Sequence, residues 1–312
     1  MRDGQGAIDC RKASAVYSKV DITRVLGSNA AAYAGNKNRG GRNNAKGATY
    51  EAYYAGARAI TLLADALRSG DSGEAIFLEE QQLCFIDDLI VDTPALRTLS
   101  QIKSGSSTKW TGGNHPIATD FTNQAALDAA LGVTAQYELV VPTSDLKSAL
   151  EASLPAGVSA QVIAFSDRHA INEFLEDNPN LVADIDEIAL TDRPRASVRG
   201  QVVKTILGAW ATIGARTSLA DLARHAADGP GPVVTVLGPE YVLQEDVRAQ
   251  LAQVEGLDFA ITKKHLWYDF KGIRGSSPFR GGTDEFTRFE RFIVDNKVTD
   301  GFAVIKALRE DA

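Results

Sequence analysis

Apolar residues recur at helical spacing between positions 48 and 67: Tyr50, Tyr53, Tyr54, Ala57, Ile60, Ala64 and Leu67. The spacing predicts a helix, and Ser69-Gly70 ends it. Three short apolar runs follow at 75–80, 83–91 and 96–103 and read as strands, with Asp92-Thr93-Pro94 as the turn between the last two. A polar loop over 104–114 leads to a helix at 120–131 and a strand at 137–141. A second helix at 144–153 leads to a strand at 161–165. The order is helix, three strands, helix, strand, helix, strand. It predicts an α/β layer whose mixed sheet opens with a meander and closes through crossover connections.

The pattern changes on either side of this block. Before it, 35–47 is rich in Gly and Asn and reads as a loop, so residues 1–44 are expected to form an N-terminal arm. After Asp167 the periodicity is mainly helical, at 169–178, 199–213, 218–227 and 244–254. Pro230-Gly231-Pro232 is a break, and 233–237 and 259–270 are strand candidates. A domain of 45–166 followed by a mainly helical domain of 167–312 is the expected organisation. The second domain would serve assembly or regulation.

Composition narrows the class. At 312 residues the chain is long enough for a full core and for two domains. Its hydrophobic share of 44% and charged share of 23% are those of a soluble globular protein. No apolar run approaches the roughly 20 residues of a membrane span, and the first residues carry no apolar signal-peptide core. Cys10 and Cys84 make no disulfide framework, so a reducing cytoplasm is expected. The net charge of −7 argues against a nucleic-acid coat protein but leaves room for a local basic site. Lys37, Arg39, Arg42 and Lys46 form one basic stretch. Lys263, Lys264, His265, Lys271, Arg274 and Arg280 form another. The plain alternative for each is a solvated loop.

The chemistry concentrates in Ile86-Asp87-Asp88-Leu89-Ile90-Val91 and the nearby Gln101-Ile102-Lys103. An acidic pair can hold a divalent cation, and side chains two apart on a strand share a face, so Gln101 and Lys103 would point together. The triplet alone is common. Asp145-Leu146-Lys147, Asp269-Phe270-Lys271 and Asp295-Asn296-Lys297 match it too. Asp145 begins a helix and Asp295 lies in a polar turn. Asp269 is a rival, with Asp258 on a candidate partner strand. Only the Gln101 triplet follows a helix that carries a Glu, Glu51, at its expected start. Strand alternation does not choose between Asp87 and Asp88, and Glu79 and Glu80 end the preceding strand within reach. Trp110, Tyr53 and Tyr54 read as core. The four histidines lack zinc spacing, and Gly272-Ile273-Arg274-Gly275 lacks a P-loop ending.

Taken in order, Gly47–Glu51, Asp87-Asp88, Gln101–Lys103, Trp110 and Asp120-Phe121 resemble the PD-(D/E)XK superfamily, the restriction-endonuclease-like fold. More narrowly, they are similar to the double-stranded-DNA endonuclease domains of bacterial anti-phage systems. The resemblance covers roughly 45–165. It implies a Mg²⁺ (or Mn²⁺) site in which Asp87 is the central ligand and Gln101 stands where relatives carry Glu or Asp. Glu51 would add a second negative charge, Asp88 would support the ligands, and Lys103 would orient the attacking water. It implies double-stranded DNA as substrate. It also implies activation through a homo-oligomer, a companion ATPase or a signalling protein. The Gln at 101 also fits an inactive nuclease-fold scaffold that binds nucleic acid or a partner.

Overall fold

The structure is a computed structural model that describes residues 17–41, 45–113, 115–168, 170–191, 193–213, 216–228 and 233–310. The first elements are α1 (Lys19–Leu26), α2 (Ser28–Gly41), α3 (Ala45–Ser69), β1 (Phe77–Glu79), β2 (Leu89–Asp92) and β3 (Arg97–Ile102). Then come α4 (Ile117–Leu131), β4 (Ala135–Val141), α5 (Ser144–Ala152), β5 (Gln161–Ala164), α6 (Ile171–Asp177), α7 (Pro179–Ile188) and α8 (Ala196–Ile213). The chain continues through β6 (Thr217–Ser218), α9 (Leu219–Ala227), α10 (Glu245–Leu251), β7 (Leu257–Thr262), β8 (His265–Phe270), β9 (Ile273–Ser276), α11 (Asp284–Asp295) and α12 (Gly301–Glu310).

Six strands form a mixed sheet in the order β5-β4-β3-β2-β1-β6. The meander β1-β2-β3 is antiparallel, and β4 and β5 add in parallel beside β3. The expected α/β layer is therefore present, a mixed sheet flanked by helices.

Its central strands are covered on both faces, which is why they read as continuous apolar runs rather than alternating ones. Leu78, Leu89, Val91, Ile102 and Val140 face one core with α3, α7, α8 and α9. Ile90, Leu99, Leu139, Val141 and Val162 face a second core with Tyr17, Ile22, Ala31, Ala34, Phe121 and Leu127. The two sets alternate residue by residue, as the pleat requires. A buried fork ties the sheet's far end together. Arg97 donates from Nε to Asp92 Oδ1 at 2.6 Å, and Arg216 Nη1 meets Asp92 Oδ2 at 2.6 Å.

Two expectations are corrected. Residues 17–41 are not an arm: α1 and α2 pack into the second core, and the glycines of 35–41 lie inside α2 rather than in a loop. The core does not divide at 167. Phe174, Ile185, Ile206, Leu222 and Val234 pack in the same core as α3, and β6 pairs with β1 at the sheet edge. Helices α6 to α9 bury their apolar faces against this sheet, α3 and one another. Gly56 records how closely α3 and α8 approach, since an added Cβ would meet Leu207 Cδ2 at 2.6 Å.

Residues after 167 are mainly helical, as expected, and the chain's end adds a second, smaller sheet to its helices. A separate apolar cluster runs from Leu243 to Leu308 and joins α10, α11 and α12 to the antiparallel sheet β7-β8-β9. Lys263 and Lys264, at φ +52° and +63°, make the two-residue turn between β7 and β8. They also fasten this unit to the larger one. Lys263 Nζ donates to the carbonyls of Asp186 and Ala189, and Lys264 Nζ donates to Leu237 O. Pro230-Gly231-Pro232 lies outside the described residues.

Because Ile206 is fully buried in the core shared by α3 and α8, Ile206→Ala should cost about 2–5 kcal/mol of stability, measured by urea unfolding. A loss below about 1 kcal/mol, the range of surface changes, would detach α8 from the sheet's core.

Candidate functional site

Asp87 and Asp88 stand just before β2, not within it as the apolar run suggested. The chain from 80 to 88 is a loop instead of a strand. Gln81 N bonds Asp87 O at 2.8 Å and closes it, and Gln124 Oε1 accepts from Phe85 N at 3.0 Å. Asn38 of α2 donates to Gln81 O. Backbone groups that would otherwise pair in a strand are satisfied this way.

Register then brings the acidic pair to β3. Leu89 lies opposite Ser100, so one step further puts Asp88 across from Gln101. Asp88 Oδ2 accepts from Ile102 N at 2.7 Å and from the Gln101 amide, and it lies 3.5 Å from Lys103 Nζ. Lys103 is one residue beyond β3, with its side chain 37% exposed. Asp87 and Gln101 are 2% and 1% exposed, so the cluster is dry at its base and open only at Lys103.

The side of the cluster facing α2 holds a group that sequence reasoning missed. Lys37 Nζ donates to Gln101 Oε1 at 2.6 Å, to Asp120 Oδ2 at 3.0 Å and to Phe85 O, and it lies 3.4 Å from Asp87 Oδ1. Asp120 sits in the first turn of α4 and also accepts from Tyr33 OH at 3.2 Å. Both residues left a trace in the sequence. Asp120 belongs to the Asp-Phe pair and Lys37 to the first basic stretch, but nothing local links them across 83 positions. The side chains of Arg39, Arg42 and Lys46 lie outside the described residues.

Charges in this pocket shift one another. Burial pushes the carboxyl of Asp87 upward, partly offset by Lys37. Burial alone would lower Lys37, but Asp87, Asp120 and Asp88 outweigh it and hold the ammonium protonated. Glu51 lies past the first turn of α3, because the helix starts at Ala45, so an end-of-helix role does not explain it. Burial first, then the charge of Asp88, pushes its carboxyl from 4.5 up to about 7. Glu80 is raised by burial and accepts from Trp210 Nε1 at 2.5 Å.

The other candidates do not assemble a site. Asp269 is engaged by Arg274 at 2.6 Å and caps Gly272 N, while Asp258 opposite it is exposed. Of the second basic stretch, Lys263, Lys264, Arg274 and Arg280 all make internal contacts. Trp110 and Tyr54 are buried in the core, with Trp110 Nε1 donating to Leu150 O. Cys84 is buried and free, whereas Cys10 and His169 lie outside the described residues.

Among the described residues no three carboxylate, His or Cys side chains converge tightly enough to hold a metal by themselves. The donor set nevertheless fits a hard cation. Two carboxylates, an amide oxygen and a main-chain oxygen already surround the Lys37 ammonium, and the buried Asp87 Oδ1 has no hydrogen-bond partner. Fold and site together define a mixed α/β protein with a buried carboxylate–amide–ammonium cluster at the ends of the sheet's two central strands. The chain matches no family model, no curated protein and no solved structure. No helix among the described residues is long and apolar enough to cross a membrane.

A raised carboxyl in the folded state means that folding retains a proton which the unfolded chain releases earlier. The stability contributed by protonated Glu51 is full below about 4.5 and is lost as pH rises to about 7. Glu51→Gln should therefore gain in Tm on the wild type as pH rises through that window. Parallel Tm profiles for the two proteins would place Glu51 in ordinary solvent.

Proposed function

We propose that the protein is a metal-dependent endonuclease acting on DNA phosphodiesters, an effector of anti-phage defence activated by assembly with itself or with a companion ATPase or signalling protein. The observation that carries this reading is the meeting of Asp87, Asp88, Gln101 and Lys103 at one point, where the start of β2 abuts the end of β3. Carboxylate and amide oxygens suit Mg²⁺ or Mn²⁺, and an exposed ammonium beside them suits a phosphate.

Asp87 and the Gln101 amide oxygen would hold the cation, and Asp88 fixes both Gln101 and Lys103. A bound divalent cation supplies Lewis-acid polarisation of the phosphate and a more acidic water. Lys103, the most open member of the cluster, would orient the attacking water and offset charge on the phosphoryl oxygens as the P–O bond to the leaving 3′-oxygen breaks. Glu51, with a carboxyl near 7, suits proton movement at neutral pH. The open edge at Lys103 would receive double-stranded DNA. The net charge of −7 makes intrinsic DNA affinity weak, which fits activity that depends on assembly.

One observation favours a second reading, an inactive nuclease-fold scaffold. Lys37 already neutralises the carboxylates from within the chain, which is how a fold that has lost its metal would keep its acidic site stable. Calorimetry separates the two, because a folded protein that takes up neither Mg²⁺ nor Mn²⁺ is the scaffold.

Plasmid cleavage in Mg²⁺ tests the first reading. Lys103→Ala should lower the rate by about 10²-fold or more, on the scale of removing one preorganised transition-state donor. Asp87→Asn should do the same through loss of the cation. Equal cleavage by wild type and Lys103→Ala would remove the site assignment.

A further inference from the structure

Lys37 lies where the proposed mechanism needs a cation. Its Nζ is bonded to Gln101 Oε1, Asp120 Oδ2 and Phe85 O, and it forms an ion pair with Asp87 Oδ1. Two of these four oxygens, those of Asp87 and Gln101, are the ligands assigned above to the metal. A divalent ion bound to them sits about 2.0–2.6 Å away. The ammonium is 2.6 Å from one of them already. Two cations cannot share that space, both because their volumes overlap and because their charges repel at such distances in a buried setting.

The lysine is carried by α2, which is held over the cluster by further contacts. Tyr33 donates to Asp120, its ring stacks on His115 with centroids 4.0 Å apart, and Asn38 reaches Gln81 O. A four-carbon stem on a helix packed through Ala31 and Ala34 can deliver an ammonium, and it can withdraw one by changing rotamer or by a shift of the helix. Asp87 Oδ1, buried in a residue only 2% exposed, has the ion pair with Lys37 at 3.4 Å but no hydrogen bond, so the ammonium does not satisfy the nest completely.

We propose that Lys37 is a tethered competitor for the metal: its ammonium occupies the cation position between Asp87, Asp120, Gln101 and Phe85, and the divalent ion binds only when it leaves. The inference rests on the nuclease reading of the same site. It enlarges that site by Asp120 and the Phe85 carbonyl, and it names α2 as the element whose displacement switches the protein on. Coupling of this kind is reciprocal: whatever draws α2 away tightens metal binding, and metal loosens the α2 contact.

Calorimetric titration with Mn²⁺ of the full chain tests it against a matched control. Lys37→Met should bind Mn²⁺ at least about ten-fold more tightly than wild type, while Lys103→Met, which removes a charge at the rim, should gain no more than about three-fold. An equal gain in both variants would reduce the effect to net charge and overturn the proposal. So would wild-type binding with no gain in Lys37→Met, and in both cases the nuclease reading stands. Absence of binding in wild type and Lys37→Met alike overturns both.

A second measurement covers failure of Lys37→Met to fold. In wild type labelled with ¹⁵Nζ-lysine, the Lys37 ammonium, assigned by its loss in Lys37→Arg, should show slow proton exchange, and saturating Mg²⁺ should abolish that protection. A protected ammonium that persists at saturating Mg²⁺ overturns the proposal.

Discussion

Like charges brought together out of water must be neutralised, and this constraint shapes the site. Asp87 and Asp88 are adjacent, nearly inaccessible and close enough to Glu51 and Glu80 to raise those carboxyls. Left alone, such a cluster would protonate or unfold the loop that carries it. Two lysines prevent that from opposite sides. Lys103 approaches Asp88 from the open edge, and Lys37 approaches Asp87 and Asp120 from α2. The surrounding structure follows from delivering them. Within 35–41 the chain is helical, and α2 reaches over the loop at 80–88, where the Phe85 and Gln81 carbonyls accept from Lys37 and Asn38. A pair held in this way resists removal of either partner far more than it stabilises the fold in absolute terms.

The same logic explains which parts of the molecule were legible in the sequence. The helix at 45–69, the meander and the two crossover units follow from local periodicity, and all but the start of β2 lie within a few residues of their expected bounds. The continuous apolar run misled at Asp87 and Asp88, which lie before β2 rather than within it. The run Leu83–Val91 is apolar because it plugs the core beside α4 through Cys84, Phe85 and Ile86, not because it is a strand throughout. The boundary at 167 misled for a related reason. A change from strands to helices reads as a new domain, yet α6 to α9 cover the same face of the sheet as α3. Only contacts at long range show this, such as Thr61 donating to Asp184 across 123 residues.

Lys37 illustrates the limit most clearly. Its neighbours Gly35, Asn36, Asn38, Gly40 and Gly41 are poor helix formers, so intrinsic preference argues for a loop. Packing of Tyr33 and Ala34 against the second core overrides that preference. The oxygens that Lys37 meets come from three segments separated from it by 48, 64 and 83 positions. A basic stretch beside glycines looks like a solvated loop until those segments converge, and the lysine is then a cation held among four oxygens.

The convergence also gives a physical reason for Gln101, which as a ligand is weaker than a carboxylate. Its amide has two unlike neighbours: the Lys37 ammonium on the side of Oε1 and the Asp88 carboxylate on the side of Nε2. Only a side chain that accepts and donates at once can satisfy both, and the two neighbours fix its orientation. A Glu at this position would accept from Lys37 but would set a third buried carboxylate against Asp88, with only the Ile102 amide and Lys103 left to hold that residue. The amide therefore links the two lysine-held halves of the cluster without adding charge. Gln101 thereby joins Asp88, which contacts Lys103, to the nest in which Lys37 sits.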